Sequence, residues 1–211
     1  MNQKIVIAID REYGSGGKTV GEMLSKELGL HYYDKEILKL ASDDSGISEA
    51  LFANASENFK KTSLFRAARA SYHGEVIPPE SSDFTSDQNL FNYQAKVIRE
   101  LAETEACIIV GRCGSFVLSD LDNVVRVFVH APKEYLLERA AEVQSMSPRE
   151  LEKFVDKTNA TRAAYTKYYT GKEWADAHNY DLCLDSSKLG FDKCVEIIKG
   201  YMKVRFPGLE F

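Results

Sequence analysis

The sequence predicts a doubly wound α/β fold, a three-layer arrangement in which a central parallel sheet of about five strands carries helices on both faces. Apolar runs of strand length alternate with segments of helical periodicity over most of the 211 residues. Right-handed crossovers between parallel strands place the intervening helices on both faces of the sheet. A glycine-rich turn directly follows the first apolar run, at the sheet edge where such folds bind ligands.

The strands are predicted from short runs of apolar residues. Such continuous runs are typical of parallel strands that are buried on both faces. The run at 31–33 is short and aromatic, so we expect an edge strand there. In chain order, the predicted strands are Lys4–Asp10, His31–Tyr33, Ala106–Val110, Val124–Val129 and Tyr180–Leu184.

The helices are predicted from apolar residues at helical spacing between these runs. The start of the helix at Pro148 is indicated by a capping-box pattern, in which Ser147 precedes the helix and Glu150 follows three residues later. The stretch Val76–Asp87 lacks periodicity and is expected to be a surface loop. In chain order, the predicted helices are Lys18–Leu28, Lys35–Ala41, Ser48–Lys60, Gln88–Glu105, Lys133–Gln144, Pro148–Tyr169 and Phe191–Arg205.

The composition is that of a soluble globular protein. A net charge of −5 provides no basic field for a nucleic-acid backbone, so nucleic acid is not an expected partner. No apolar run has the length of a membrane span, and the N-terminus lacks the pattern of a secretory signal, so we expect no membrane association. Cys107 and Cys183 lie in apolar runs and are expected to be buried free thiols, which suits the reducing cytoplasm.

The glycine-rich turn has the chemistry of a phosphate-binding loop. Glycines allow successive backbone N–H groups to approach phosphate oxygens, and the N-terminus of the following helix adds partial positive charge. A lysine here can reach the outer phosphates, and the hydroxyl after it can hold Mg²⁺. The pattern G-x-x-x-x-G-K-[ST] departs at its first position, which is Glu12. The residues concerned are Gly14, Ser15, Gly16, Gly17, Lys18 and Thr19.

A second group of polar residues follows two other predicted strands. Asp34 comes after the short aromatic run, and Arg112 comes after Gly111 at the end of the third run. The arginine fork suits a phosphate, although a surface ion pair with a carboxylate is the alternative interpretation. The carboxyl ends of parallel strands meet at one edge, so these residues are expected near the phosphate loop.

The third group is cationic and lies on two late helices. Arg139, Lys157 and Arg162 would suit the charge that develops on a transferring phosphoryl group. A solvated helix face is the alternative for each residue taken singly. The aromatic segment Tyr165–Gly171 that follows would let the helix move as a lid and exclude water.

With these motifs in place, the chain resembles the cytidylate kinase-like family of nucleoside monophosphate kinases. The resemblance runs from near Met1 to beyond position 187. Asn159 stands where the lid pattern of the family has an aspartate. The matching segments are Arg11–Gly17, Tyr33–Glu36, Ile109–Cys113, Asp156–Tyr165 and Tyr180–Ser187.

The resemblance implies a single P-loop kinase domain over residues 1–211. Its core would comprise residues 1–30, 104–146 and 178–211, with a monophosphate-binding insertion at about 31–103 and a lid at about 147–177. ATP would be the phosphoryl donor, with Mg²⁺ as cofactor. Gly14 to Thr19 would hold the donor phosphates and Mg²⁺, Asp34 and Arg112 would contact the acceptor, and the lid cations would be Arg139, Lys157 and Arg162.

The leading hypothesis is therefore a kinase for small-molecule nucleotides, provisionally CMP or dCMP. Phosphorylation of another small acceptor is one alternative. A nucleotide-binding regulatory protein without turnover is another, because no aspartate ends the run Ala106–Val110, where many phosphate-loop enzymes hold their metal. The sequence leaves the oligomeric state open.

Overall fold

The computed structural model describes residues 4–57 and 75–209. Within these residues, five parallel strands form one sheet in the order β2-β3-β1-β4-β5. The predicted parallel sheet is confirmed, with the short second strand at one edge. The strands are β1 (Val6–Arg11), β2 (His31–Tyr33), β3 (Cys107–Val110), β4 (Val124–His130) and β5 (Leu182–Asp185).

Helices lie between the strands and after the last of them. A single 3₁₀ turn at Ala177–Asn179 precedes β5. The helices are α1 (Gly17–Leu28), α2 (Glu36–Ser45), α3 (Glu49–Glu57), α4 (Asp87–Thr104), α5 (Gly114–Val117), α6 (Lys133–Ala141), α7 (Pro148–Thr170) and α8 (Ser186–Arg205).

The two faces of the sheet bury separate apolar clusters, as a three-layer fold requires. Successive side chains of β1 point to opposite faces. Val6 and Ala8 pack with residues of α2 and α4, while Ile7 and Ile9 pack with residues of α1 and α8. The alternation fixes the direction of the next two residues, so Asp10 faces the α4 side and Arg11 faces the α1 side.

The helix predictions hold except near a few ends. The capping box at the start of α7 is confirmed, since Glu150 accepts bonds from the Ser147 amide at 3.1 Å and hydroxyl at 2.5 Å. Helix α8 begins at Ser186, five residues before its predicted start, and kinks at Gly190, where φ is 71°. The prediction Ser48–Lys60 extends beyond the described residues. Helix α5 is a single turn, too short for a periodicity signal.

Two cysteine predictions have different outcomes. Cys107 is fully buried in β3, which confirms the expected free thiol in the core. Cys183 is exposed, so the prediction of a buried thiol was wrong there. Strand β5 is an edge strand, and helices cover it less completely than the central strands, which a linear apolar run does not show.

No helix in the part of the chain that the structure describes combines the length and apolarity needed to cross a bilayer.

Candidate active site

The glycine-rich turn joins β1 to α1 at the carboxyl edge of the sheet. Gly14 and Gly16 are left-handed, with φ of 88° and 78°. The Ser15 amide and hydroxyl donate to the Glu12 carbonyl at 3.3 and 2.9 Å, which closes the turn. A Cβ at Gly14 would overlap the Leu136 carbonyl, and one at Gly16 would overlap the Phe191 ring. Both glycines are therefore required by conformation and by space.

Glu12, the departure from the phosphate-loop pattern, anchors this turn to the next strand. Its amide donates to the carbonyl of Val129 at 3.1 Å. Its carboxylate accepts a hydrogen bond from the Ala131 amide at 3.2 Å. The side chain thus holds the loop against the end of β4, and a glycine at this position is not needed to form the turn.

The two residues after the glycines begin the exposed side of α1. The Lys18 side chain is 63 % exposed, and its ammonium lies 3.6 Å from the Glu22 carboxylate, one turn along the helix. Thr19 is partly buried in the first turn. The loop and Thr19 are placed together as expected, whereas the Lys18 side chain points along the outer surface of α1. Its predicted contact with the outer phosphates stays a prediction.

Arg11 is a site residue that our sequence analysis did not select. Its aliphatic stem lies against Gly17 and its guanidinium against Gly111, so that a Cβ on either glycine would overlap it. The guanidinium reaches the end of β2, where it lies 3.7 Å from the Asp34 carboxylate. The signal was available, because Arg11 ends an apolar strand beside the loop, the same reasoning that selected Arg112.

Arg162 of α7 joins Arg11 from the other side. It donates to the backbone carbonyl of Arg11 at 2.8 Å, and its guanidinium lies over the Tyr13 ring, 5.9 Å from the centroid. Burial, and then the positive charge of Arg11, lower the pKa of the Arg162 guanidinium. A guanidinium nonetheless stays charged at neutral pH. Two positive charges therefore share this edge with Asp34.

The side chain of Asp10 lies on the opposite face of β1 from that of Arg11. It is only 4 % exposed, and burial raises the pKa of its carboxyl group, against the opposing effects of a hydrogen bond with Ser115 and the charge of Arg11. The hydroxyl of Tyr180 lies 3.5 Å from its Oδ2 atom. Asp10 is thus enclosed by protein, beneath the loop.

Arg112 lies in a left-handed turn at the end of β3. Gly111, Arg112 and Cys113 have φ of 76°, 55° and 56°. Left-handed backbone costs about 1–2 kcal/mol for each residue that has a side chain. The turn brings the Arg112 charge close enough to Tyr165 of α7 to act on the pKa of that phenol. Arg112 therefore lies between β3 and the predicted lid helix.

Helix α7 and the segment that precedes it contact the loop through Tyr13. The Tyr13 ring meets Phe154 edge to face at 5.1 Å between centroids. Its hydroxyl accepts a bond from Gln144 at 2.7 Å. Its amide donates to the side-chain oxygen of Asn159 at 2.8 Å. Asn159, the departure from the family's lid pattern, thus binds the loop backbone directly.

The remaining predicted cations lie on helices α6 and α7. Arg139 pairs with Glu142 at 2.7 Å, and its guanidinium lies 5.2 Å from the centroid of Phe191, the ring that contacts Gly16. Lys157 is exposed and shares a shallow groove of about 500 Å³ with Phe154. Arg162 therefore contacts the residue at the start of the loop, and Arg139 reaches the loop through Phe191. Lys157 lies in a groove whose described lining contains no loop residue.

The chain is similar to known proteins over most of its length. Residues 6–188 match the model of the cytidylate kinase-like family. A protein named cytidylate kinase from Methanopyrus kandleri is 24% identical over 204 residues, covering 92% of this chain and 91% of that protein. Another from Sulfurisphaera tokodaii is 24% identical over 202 residues, covering 94% and 95% of the two chains.

Solved structures have the same fold. An uncharacterized protein from Eubacterium ventriosum superposes with a TM-score of 0.69 at 25% identity, covering 94% of this chain and 98% of that chain. Shikimate kinase from Bacteroides thetaiotaomicron superposes with a TM-score of 0.53 at 14% identity, covering 94% and 98%. The fold is that of the P-loop kinases, and with the family it indicates a phosphotransferase. The chain belongs to the cytidylate kinase-like family.

Proposed function

We propose that this protein is a nucleoside monophosphate kinase that transfers the γ-phosphoryl group of ATP to a small nucleotide, provisionally CMP or dCMP. The observation that carries the proposal is the convergence at one sheet edge of the glycine loop, the guanidinium groups of Arg11 and Arg162, and Asp34. Positive charge beside a helix N-terminus and a glycine loop is the arrangement that phosphate groups require.

The donor phosphates would lie on the loop. We assign their binding to the backbone of Gly14, Ser15, Gly16 and Gly17 and to the first-turn residues Lys18 and Thr19. The left-handed glycines form the tight turn whose backbone amides would donate to phosphate oxygens. Lys18 would take part through its amide, which belongs to the helix N-terminus whatever its side chain does.

Mg²⁺ fits this donor set. Among the described residues, no cluster of three or more acidic, histidine or cysteine side chains could hold a metal alone. Mg²⁺ in kinases is bound by one or two protein groups together with substrate phosphates and waters, so a complete protein cage is not needed. The hydroxyl of Thr19 is the protein ligand we assign. When bound with the nucleotide, the ion would neutralise charge on the phosphate oxygens.

The acceptor would bind between the ends of β2 and β3. Asp34 and Arg112 follow these strands, and Arg11 contacts both Asp34 and Gly111, the residue before Arg112. Arg112 would bind the acceptor phosphate, and Asp34 would fix the acceptor through its hydroxyl or amino groups. The curated relatives are named cytidylate kinases, which is why CMP and dCMP are the first acceptors to test.

The lid would cover the transferring group. We assign this role to residues at about 147–177, with Lys157 and Arg162, and with Arg139 from the end of α6. The core at 1–30, 104–146 and 178–211 and the insertion at about 31–103 complete the proposed division of the domain. Contacts of Tyr13 with Phe154 and Asn159 link the lid helix to the loop. A shift of α7 would therefore also move the loop that binds the phosphates.

The reaction needs positioning and charge rather than an unusual base. An oxygen of the acceptor phosphate attacks the γ-phosphorus of ATP. A new phosphorus–oxygen bond forms, the bond to the β,γ-bridging oxygen breaks, and ADP leaves with that electron pair. The products are ADP and a nucleoside diphosphate. Arg162 and Arg139 would offset the charge on the transferred group.

The test is ADP release measured with ATP, Mg²⁺ and a panel of nucleoside monophosphates. We expect ADP formation that depends on CMP or dCMP and that falls at least tenfold in R162M, which keeps the length of the side chain without its charge. The matched control is K26A, an exposed lysine in the last turn of α1. Turnover with a different acceptor only would replace CMP and dCMP as the assigned substrates. ATP binding without any acceptor-dependent turnover would favour the regulatory alternative.

A further inference from the structure

We infer that Arg11 supplies the cation that a phosphate loop ordinarily obtains from the lysine at the start of its helix. The inference rests on the proposed function and names a residue for it. Three independent features of the described residues support it: the register of α1, the space over Gly17, and the charges around Arg11.

Lys18 is the second residue of α1, one position after the helix start where the lysine of the pattern is expected. In the pattern G-x-x-x-x-G-K-[ST], the lysine directly follows the last glycine, where the helix opens. Here Gly16 is the left-handed cap and Gly17 is the first helical residue. Each residue turns an α-helix by about 100°, so Lys18 projects from a different face than a lysine at 17 would. Its ammonium accordingly lies along the outside, beside Glu22.

The space over Gly17 is filled by Arg11. A Cβ at Gly17 would overlap the Cβ of Arg11 and lie 3.0 Å from its Cγ. Any side chain at 17 would therefore compete with the Arg11 stem. If Gly16, rather than Gly17, is aligned with the second glycine of the pattern, then the first glycine of the pattern falls at Arg11 and its lysine falls at Gly17. In this chain a glycine and a cation have exchanged places, and the exchange keeps a positive charge between the helix N-terminus and the end of β3.

Two positive charges, Arg11 and Arg162, share one nearby carboxylate at this edge, that of Asp34. Arg162 donates to the Arg11 carbonyl, and the positive charge of each arginine opposes the other. Asp34, 3.7 Å away, is beyond the distance of a good hydrogen bond. Asp10 is buried on the other face, where burial favours its neutral form. A polyphosphate would supply further negative charge to these two guanidinium groups, which exceed the single carboxylate beside them.

The first test measures ATP affinity in the presence of Mg²⁺ by isothermal titration calorimetry, without acceptor. R11M keeps the aliphatic stem against Gly17 and removes the charge. We expect R11M to weaken ATP binding by about 10- to 100-fold, the usual effect of losing a charged contact to phosphate. K18A should weaken it several-fold less than R11M does, and K26A is the unaffected control. A larger loss in K18A than in R11M would overturn the inference.

The second test exchanges the two residues back. R11G removes the stem that blocks position 17, and R11G/G17K places a lysine at the first helical residue. We expect R11G to lose ATP affinity as R11M does and the double variant to regain at least half of the loss on a logarithmic scale. A double variant no better than R11G, although folded, would contradict the exchange. G17K alone should not bind better than wild type, because Arg11 occupies its space.

Thermal unfolding without nucleotide separates binding from folding. R11M removes one of two facing positive charges, so its unfolding temperature should not fall, while the stabilisation by ATP should diminish. A wild-type protein that binds no ATP would refute the proposed function itself. A wild type that binds ATP and phosphorylates CMP, together with an R11M variant that binds ATP normally, would refute only the role of Arg11.

Discussion

The contact between Gly17 and Arg11 predicts an unusual response to a very small mutation. G17A adds one methyl group at the first residue of α1. In an open helical position, replacing glycine by alanine stabilises a helix by up to about 1 kcal/mol. At Gly17 the methyl would overlap the Cβ of Arg11 and lie 3.3 Å from the Cβ of Val129. Neither atom can move away by side-chain rotation, because both are attached directly to strand backbone.

The magnitude follows from these two opposing effects. Overpacking of this kind costs about 1–3 kcal/mol. We therefore expect G17A to lower the free energy of unfolding by about 0–2 kcal/mol once a gain in helix propensity of about 1 kcal/mol is subtracted. Gly200 is the matched control, since it is exposed within α8 and, apart from neighbouring backbone of its own helix, no atom of the described residues lies within 4 Å of its Cβ position. G200A should raise the free energy of unfolding by up to about 1 kcal/mol.

Urea unfolding of wild type, G17A and G200A measures the difference. A second background identifies the cause: G17A should cost little in R11G, which lacks the Cβ, but should still cost stability in R11A, which retains it. Equal effects of G17A in the R11G and R11A backgrounds, or a G17A protein as stable as G200A, would refute the packing of Arg11 over Gly17.

Three further predictions address other parts of the fold. Tyr32 packs its ring against Gly21, and its buried hydroxyl has no hydrogen-bond partner among residues 4–57 and 75–209. Y32F should therefore raise the free energy of unfolding by about 1 kcal/mol in urea titrations, and a lower free energy of unfolding would reveal a partner. The pKa of the Asp10 carboxyl is raised by burial, so its contribution to stability is present at low pH and is lost as pH rises through that pKa. The free energy of unfolding of wild type, measured in urea relative to that of D10N, should therefore fall from pH 4 to pH 7. Parallel pH profiles of the two proteins would contradict this. Cys183 is exposed while the other three cysteines are buried, so one thiol should react with a maleimide in the native protein and none in C183S.

The strands and most helices could be predicted from the sequence because burial leaves a direct pattern in it. Runs such as Cys107–Val110 are apolar throughout because both faces of the sheet are covered, and the capping box at Ser147 carries its own hydrogen-bond chemistry. The exposure of Cys183 could not be predicted, because it depends on which strand lies at the edge of the sheet. Strand order is set by contacts between segments far apart in the chain.

The sequence predicted at which edge of the sheet the candidate residues lie, but not which side chains contact one another there. The loop, Asp34 and Arg162 are placed at one edge, as the carboxyl ends of parallel strands require. Lys18 was selected by aligning the motif on Gly17, whereas α1 already begins at Gly17, one residue before the lysine. The position of Arg11 over Gly17 arises from the direction of a strand side chain toward a helix that follows it. Counting residues along a motif does not contain that information.

The most direct test of the account follows both nucleotides at once. Phosphorus-31 NMR of a mixture of ATP, Mg²⁺, CMP and the protein reports every phosphate group in the reaction. We expect the γ-phosphate signal of ATP to decline while ADP and CDP appear in equal amounts. Formation of ADP with free inorganic phosphate and unchanged CMP, or spectra that stay constant with every monophosphate tested, would contradict it.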